Sequence, residues 1–157
     1  MSGEGAPELH ADGRGLRIVI VVAEWHGEVT GALLAGAQRA LSRAGAPPAE
    51  IVRVPGAFEL PVAAARVLRS PRAPDGVVAL GSVVRGGTPH FEYVCGAVAD
   101  GLGSVAVSTG VPVGFGVLTC DTEEQAVDRA GLPGSSEDKG AEAADAVLAT
   151  IRALGDW

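Results

Sequence analysis

Lysine is almost missing from this sequence. Lys139 is the only one among 12 basic side chains, which face 19 acidic ones in a chain of 157 residues. The formal charge of −7 repels phosphate backbones and anionic bilayers. That excludes nucleic acid as the main partner and disfavours docking on a membrane. Aromatic residues make up 4% of the chain, so the core must be built from small aliphatic side chains. The two cysteines, Cys95 and Cys120, are too few for a disulfide scaffold and fit no metal spacing. They read as buried free thiols of a reducing, cytoplasmic compartment. No apolar run approaches the ~18 residues of a membrane span. Ile18–Ala23 follows basic residues but meets Glu24 at once, and it reads as a buried strand rather than a secretion signal.

What is present points to a folded α/β protein. Hydrophobic residues at 47% with a positive mean hydropathy exclude a disordered chain. The length suits about one domain of roughly 100–200 residues. Residues 1–15, rich in Gly, Glu and Pro without periodicity, read as a flexible N-terminal tail, and residues 16–157 as one domain.

Arg17–Ala23 and Gly76–Val84 are near-continuous runs of small and β-branched residues, the pattern of strands covered on both faces. Ile51–Val54 is a shorter strand, and Ser104–Ser108 with Pro112–Leu118 read as a fourth strand region. Helices fall between them. Leu33, Leu34, Ala37 and Leu41 form a helical stripe closed by Gly45. Pro61–Leu68 is a second helix, and a third runs from His90 to about Gly101. Thr122 with Gln125 forms a capping box ahead of a fourth. A last helix from Asp138 carries Ala144, Val147, Leu148 and Ile151 at helical spacing. Strands that alternate with helices run parallel, which gives a three-layer α/β/α sandwich on a mainly parallel four-stranded sheet. Ligands in such folds sit beyond the carboxyl ends of the strands.

Among the loops at those ends, Arg85–His90 is the richest in chemistry. Gly86 and Gly87 let backbone amides approach a ligand, Thr88 is a good N-cap, and Pro89 suits the first helical position. A helix start after a glycine pair attracts anions. The same residues also suit an ordinary strand-to-helix turn, and they match neither the P-loop nor the dinucleotide fingerprint. His90 beside an anion site could shuttle protons, or simply sit at the surface of a helix start. Trp25, directly after the first strand, could stack on a planar heterocycle or pack against the fold. Glu59, after Pro55-Gly56-Ala57-Phe58, could accept bonds from hydroxyls. His26 reads as structural or peripheral, and His10 as part of the tail. No serine stands in a nucleophile elbow and no His, Asp or Glu group has metal spacing.

The blocks Pro55-Gly56-Ala57-Phe58-Glu59-Leu60-Pro61 and Gly81-Ser82-Val83-Val84-Arg85-Gly86-Gly87-Thr88-Pro89-His90-Phe91-Glu92-Tyr93-Val94 occur in order along the chain. They are followed by Gly116-Val117-Leu118-Thr119, Glu124-Gln125-Ala126, Asp128-Arg129-Ala130 and Lys139-Gly140. Together they resemble the lumazine synthase family from about Arg17 to the last helix. The resemblance implies a flavodoxin-like fold and the condensation of 5-amino-6-(D-ribitylamino)uracil with 3,4-dihydroxy-2-butanone 4-phosphate. The product would be 6,7-dimethyl-8-ribityllumazine, with phosphate and water released, in the penultimate step of riboflavin synthesis. No metal or organic cofactor is implied.

By the same resemblance Trp25 stacks on the pyrimidine, and Ala57, Phe58 and Glu59 hold the ribityl chain. Ser82, Val83 and Val84 contact the pyrimidine edge. Gly86, Gly87 and Thr88 cradle the phosphate with Arg129, while His90 moves protons and Lys139 lies close to the phosphate and ribityl region. Phe115 matches a position supplied by a neighbouring subunit, so the resemblance implies a homo-oligomer with active sites at subunit interfaces. The stretch Gly131–Asp138 reads as longer than in shell-forming relatives, which favours a pentamer over a sixty-subunit shell. The competing expectations are a diverged, non-catalytic protein that captures lumazine or flavin, and a shell-forming assembly component. A small phosphorylated substrate needs only a local positive site, so the acidic balance of the chain does not exclude it.

Overall fold

The computed structural model describes residues 9–155 and Trp157. Four strands form the sheet: β1 (Ile18–Ala23), β2 (Glu50–Val54), β3 (Gly76–Val84) and β4 (Val113–Cys120). They stand in the order β2-β1-β3-β4 and are all parallel. The helices are α1 (Gly27–Arg43), α2 (Leu60–Leu68), α3 (His90–Thr109), α4 (Glu123–Asp128) and α5 (Lys139–Ala153). A helix follows every strand, so each return crosses a face of the sheet, and parallel pairing follows.

The pleat divides the core. Ile18, Ile20, Val22, Val78 and Leu80 face α1 and α5, whereas Val21, Ala23, Val77 and Ala79 face α2 and α3. The three-layer α/β/α architecture read from the sequence is therefore the one observed. β1 lies between β2, which follows it, and β3, which crosses to its other side. The crevice between the carboxyl ends of β1 and β3 is thus the topological switch point, where such sheets bind ligands.

Small residues set the spacing of the layers. At the start of α5, a Cβ on Gly140 would fall 2.0 Å from the Leu33 carbonyl oxygen, so only glycine lets α5 cross α1 this closely. The end of α1 is closed as its glycine predicts. Gly45 has φ 76°, its N–H donates to the Ser42 carbonyl, and the Ala46 N–H donates to that of Leu41. That pair of bonds is the Schellman arrangement.

One element differs from the sequence reading. Ser104–Ser108 is not strand but the last part of α3, which runs 20 residues without a break. The glycines at 101 and 103 look like breakers in sequence, yet Val98, Leu102 and Val105 are its buried stripe at helical spacing. Gly101 is a site of close approach: a Cβ there would meet the Pro61 ring at 2.8 Å. Tertiary packing overrides the propensity of the segment. Of the tail read over residues 1–15, residues 1–8 lie outside the described residues. Gly13 donates to the Ala44 carbonyl at 2.8 Å, and Arg152 binds the carbonyls of Asp12 and Arg14, so the chain from Asp12 is fastened to α1 and α5.

Candidate active site

At the switch point a cavity of about 460 Å³ opens between the ends of β1, β2 and β3 and the start of α3. Trp25 is placed by an extension of the β1–β2 ladder, in which Glu24 N–H donates to Val54 O and Trp25 N–H to Pro55 O. Its indole remains 69% exposed, and Phe58 across the cavity 61%. Large apolar rings held so open at a pocket mouth are available to stack.

The 3-10 turn Ala57–Glu59 carries the next wall. One carboxylate oxygen of Glu59 accepts the Gly56 N–H at 3.0 Å, which fixes the side chain and leaves its second oxygen for other donors. Ser82, Val83 and Val84 form the floor. Ser82 is buried, and its hydroxyl has no partner among the described residues. An unpaired buried hydroxyl costs roughly 1–3 kcal/mol, and such groups persist where something other than packing needs them.

The loop after β3 brings Gly86, Thr88 and His90 to the cavity. The helix begins at His90, as its sequence suggests, but Pro89 rather than Thr88 occupies the cap, with φ −63° and ψ 0°, and Thr88 makes no capping bond. The first amides of α3 therefore lack a side-chain cap. Gly87 lies in the same exposed loop, although it does not line the cavity. A Cβ at Gly86 or Gly87 would meet nothing within 4 Å, so packing does not demand these glycines. They keep the backbone bare where a ligand would approach.

Three side chains that the sequence reading passed over complete this region. Phe91 and Val94, one helical turn apart, line the cavity from α3. Arg85 points away from it: its Nε donates to Asp121 at 2.7 Å, its guanidinium pairs with Glu92, and it stacks 4.2 Å over the Phe91 ring. The bonds to Asp121 and Glu92 raise the guanidinium above its ordinary value. The clamp ties the loop to β4 and α3 at once. Arg85, Phe91 and Glu92 form a charge-aromatic-charge set in sequence that could have signalled it. His26, read as structural or peripheral, also lines the cavity.

Phe115, Arg129 and Lys139 are not among the lining residues. Phe115 is exposed in the middle of β4, opposite Ala79 and well short of the strand's carboxyl end. Arg129 follows α4, where its Nη1 donates to the Gln125 carbonyl at 2.9 Å. Lys139 opens α5 with its N–H bonded to the Arg129 carbonyl at 3.0 Å, so these two cations are neighbours. The Lys139 ammonium touches the Glu137 carboxylate and lies 2.7 Å from that of Glu142. Burial pulls its pKa down, but the two carboxylates outweigh burial and hold it above the ordinary lysine value. Among the described residues that line the cavity, Glu59 is the only Asp, Glu, Lys or Arg. Among the described residues no group of three His, Cys, Asp or Glu could hold a metal ion. No described helix is long and apolar enough to cross a membrane.

Comparison with known proteins gives a consistent result. The family model described as 6,7-dimethyl-8-ribityllumazine synthase matches residues 15–155. A protein of that name from Kineococcus radiotolerans is 62% identical over 154 residues, covering 98% of this chain and 94% of the relative. One from Leifsonia xyli subsp. xyli is 61% identical over 156 residues, covering 98% and 97%. A third, from Streptomyces coelicolor, is 58% identical over 155 residues, covering 98% and 95%.

Proposed function

The chain belongs to the 6,7-dimethyl-8-ribityllumazine synthase family, and on that premise we propose how its residues divide the work of the reaction. It is a transferase of riboflavin biosynthesis that condenses 5-amino-6-(D-ribitylamino)uracil with 3,4-dihydroxy-2-butanone 4-phosphate. In the proposed site the pyrimidine lies on Trp25 with its edge against Ser82, Val83 and Val84. The ribityl hydroxyls run along Ala57, Phe58 and the free oxygen of Glu59. The butanone phosphate sits on the amides of Gly86, Gly87 and Thr88.

The observation that carries this arrangement is the charge of the cavity wall. A pocket that must hold a phosphate has a carboxylate and no fixed cation of its own. The cation must come from elsewhere, and Arg129 with its planar fork suits two phosphate oxygens. We assign Arg129, Lys139 and Phe115 to the neighbouring subunit's share of each site. The surface supports this reading. Phe58, Val62, Tyr93 and Val107 are exposed on or beside α2 and α3, Phe115 is exposed on β4 and Val127 on α4. Exposed apolar residues of this kind suit contacts between copies, and head-to-tail contacts between copies close into rings. A cytoplasmic homopentamer fits them, since Cys95 and Cys120 are free thiols and the Ala130–Asp138 bridge closes the longer stretch 131–138 on itself.

The uracil supplies the amine, so the protein need not provide a Schiff-base lysine. Lys139, protonated and held by two carboxylates, acts as charge and hydrogen-bond donor. His90 passes protons as the imine forms, phosphate leaves and the second amine closes the ring. Holding both substrates in reacting geometry supplies several kcal/mol of the barrier. The direct test follows lumazine absorbance after both substrates are mixed with the protein. Arg129→Ala is expected to lower kcat/KM by about 100-fold or more through loss of a charge-assisted phosphate contact. An unchanged rate overturns the assignment of Arg129. A sedimentation mass of about sixty subunits overturns the pentamer.

A further inference from the structure

His26 stands out in the backbone. Six described residues have φ in the left-handed region, and five of them are glycine: Gly15, Gly45, Gly110, Gly131 and Gly134. The sixth is His26, with φ 56° and ψ 54°. A side chain in this conformation is disfavoured, and glycine would serve the turn into α1 without strain. The turn is nevertheless held firmly, because the His26 carbonyl accepts from both the Thr30 N–H at 3.0 Å and the Thr30 hydroxyl at 3.3 Å. The imidazole does not cap the helix it precedes and makes no hydrogen bond among the described residues. Strained backbone positions cluster at functional sites.

Position gives the strain a purpose. His26 lines the cavity beside Trp25 and opposite Ser82–Val84. Its ring centroid is 6.4 Å from that of Trp25, and the two planes meet at 69°. The imidazole is thus a steeply inclined neighbour of the indole, within reach of the rim of a heterocycle stacked there. Carbonyl and ring-nitrogen groups of a pyrimidine lie at that rim, and imidazole can serve either as donor or as acceptor.

We propose that His26 is a specificity-determining residue for the heterocycle: its left-handed backbone aims the imidazole at the polar edge of a ring stacked on Trp25. The inference rests on the pyrimidine site assigned above and adds a residue to it. The side chain is kept at this position for recognition, at the expense of an easier turn.

The test compares His26→Gly and His26→Asn with wild type. Binding of 6,7-dimethyl-8-ribityllumazine is measured by calorimetric titration, alongside KM for each substrate and the Tm. For His26→Gly, lumazine Kd and KM for the ribitylaminouracil rise about 10-fold, the value of one lost hydrogen bond. KM for the butanone phosphate stays constant, and Tm is unchanged or higher because the strain is gone. His26→Asn tolerates the left-handed region and keeps a donor and an acceptor, so it binds lumazine within about 3-fold of wild type. Tight lumazine binding by His26→Gly overturns the proposal. So does a parallel rise in both KM values with a fallen Tm, or an Asn variant as weak as Gly. A wild-type protein that binds lumazine through His26 but never forms it would instead overturn the catalytic reading alone.

Discussion

The wall of the cavity and the Arg129–Lys139 corner are built in opposite ways. The wall is bare backbone, open aromatic rings and hydroxyl-binding groups, with one negative charge. The corner sets two cations among three carboxylates and is tightly wired: Arg129 lies 3.9 Å from Asp128, Lys139 N–H bonds Arg129 O, Glu137 N–H bonds Asp128 O, and Glu137 and Glu142 hold the ammonium. In the proposed assignment one region supplies shape and the other the cations. On that assignment a site needs the wall of one copy and the corner of the next, which makes activity conditional on a second copy. Wiring Lys139 in advance means that little side-chain freedom is lost when the copies meet.

The sharpest way to break this comparison is to damage each region in a different chain. His90→Ala removes a proton carrier from the wall and Arg129→Ala a cation from the corner, and each homogeneous variant is expected to be at least about 100-fold slower. Co-refolded at equal amounts, the two variants should recover about a quarter of wild-type activity, because random mixing rebuilds one intact wall beside one intact corner in that fraction of shared sites. Activity equal to the average of the separate variants would show that each chain carries its own complete site.

A smaller effect tests the wall alone. Gly86→Ala adds a methyl group where nothing lies within 4 Å, so Tm should be preserved. The methyl would crowd the phosphate instead, raising KM for the butanone phosphate about 10-fold with KM for the uracil unchanged, if the bare backbone is the binding surface. A fall in Tm with both KM values unmoved would make the glycine structural after all.

Much of this was legible in the sequence, for physical reasons that can be named. β1 and β3 are covered on both faces, so their residues are apolar without alternation, and their helical returns dictate parallel pairing. Parallel pairing in turn points to the carboxyl ends, where Trp25, Glu59 and the Gly86–His90 loop are found. Three features were not legible. The second half of α3 carries Val105, Val107 and two glycines, a strand-like composition that only packing against α2 resolves. Backbone handedness at His26 has only a weak signature in residue type: histidine enters the left-handed region more often than most side chains, but still rarely. The outward turn of Arg85 depends on Asp121, which lies 36 positions away, just past the end of β4.

The smallest effect separates the two regions by pH. On the wall side the Arg85 clamp holds the loop after β3, and its hydrogen bond to Glu92 keeps that carboxyl below the ordinary value of 4.5. A depressed carboxyl stabilises the fold above its unfolded pKa, and the contribution is lost as pH falls through the folded value. On the corner side Lys139 is raised above 10.5. A raised ammonium stabilises the fold fully below its unfolded pKa, and the contribution is lost as pH climbs through the folded value. The Tm gap between wild type and Glu92→Gln should therefore be constant near neutrality and shrink in acid below 4.5. The gap for Lys139→Met should hold through neutrality and shrink only in alkali above 10.5. The Glu92 gap should be small, about a degree or two, since exposed pairs are screened by solvent. If both gaps closed at the same end of the pH range, one electrostatic network would span wall and corner within a single chain, and the separation of shape from charge would fail.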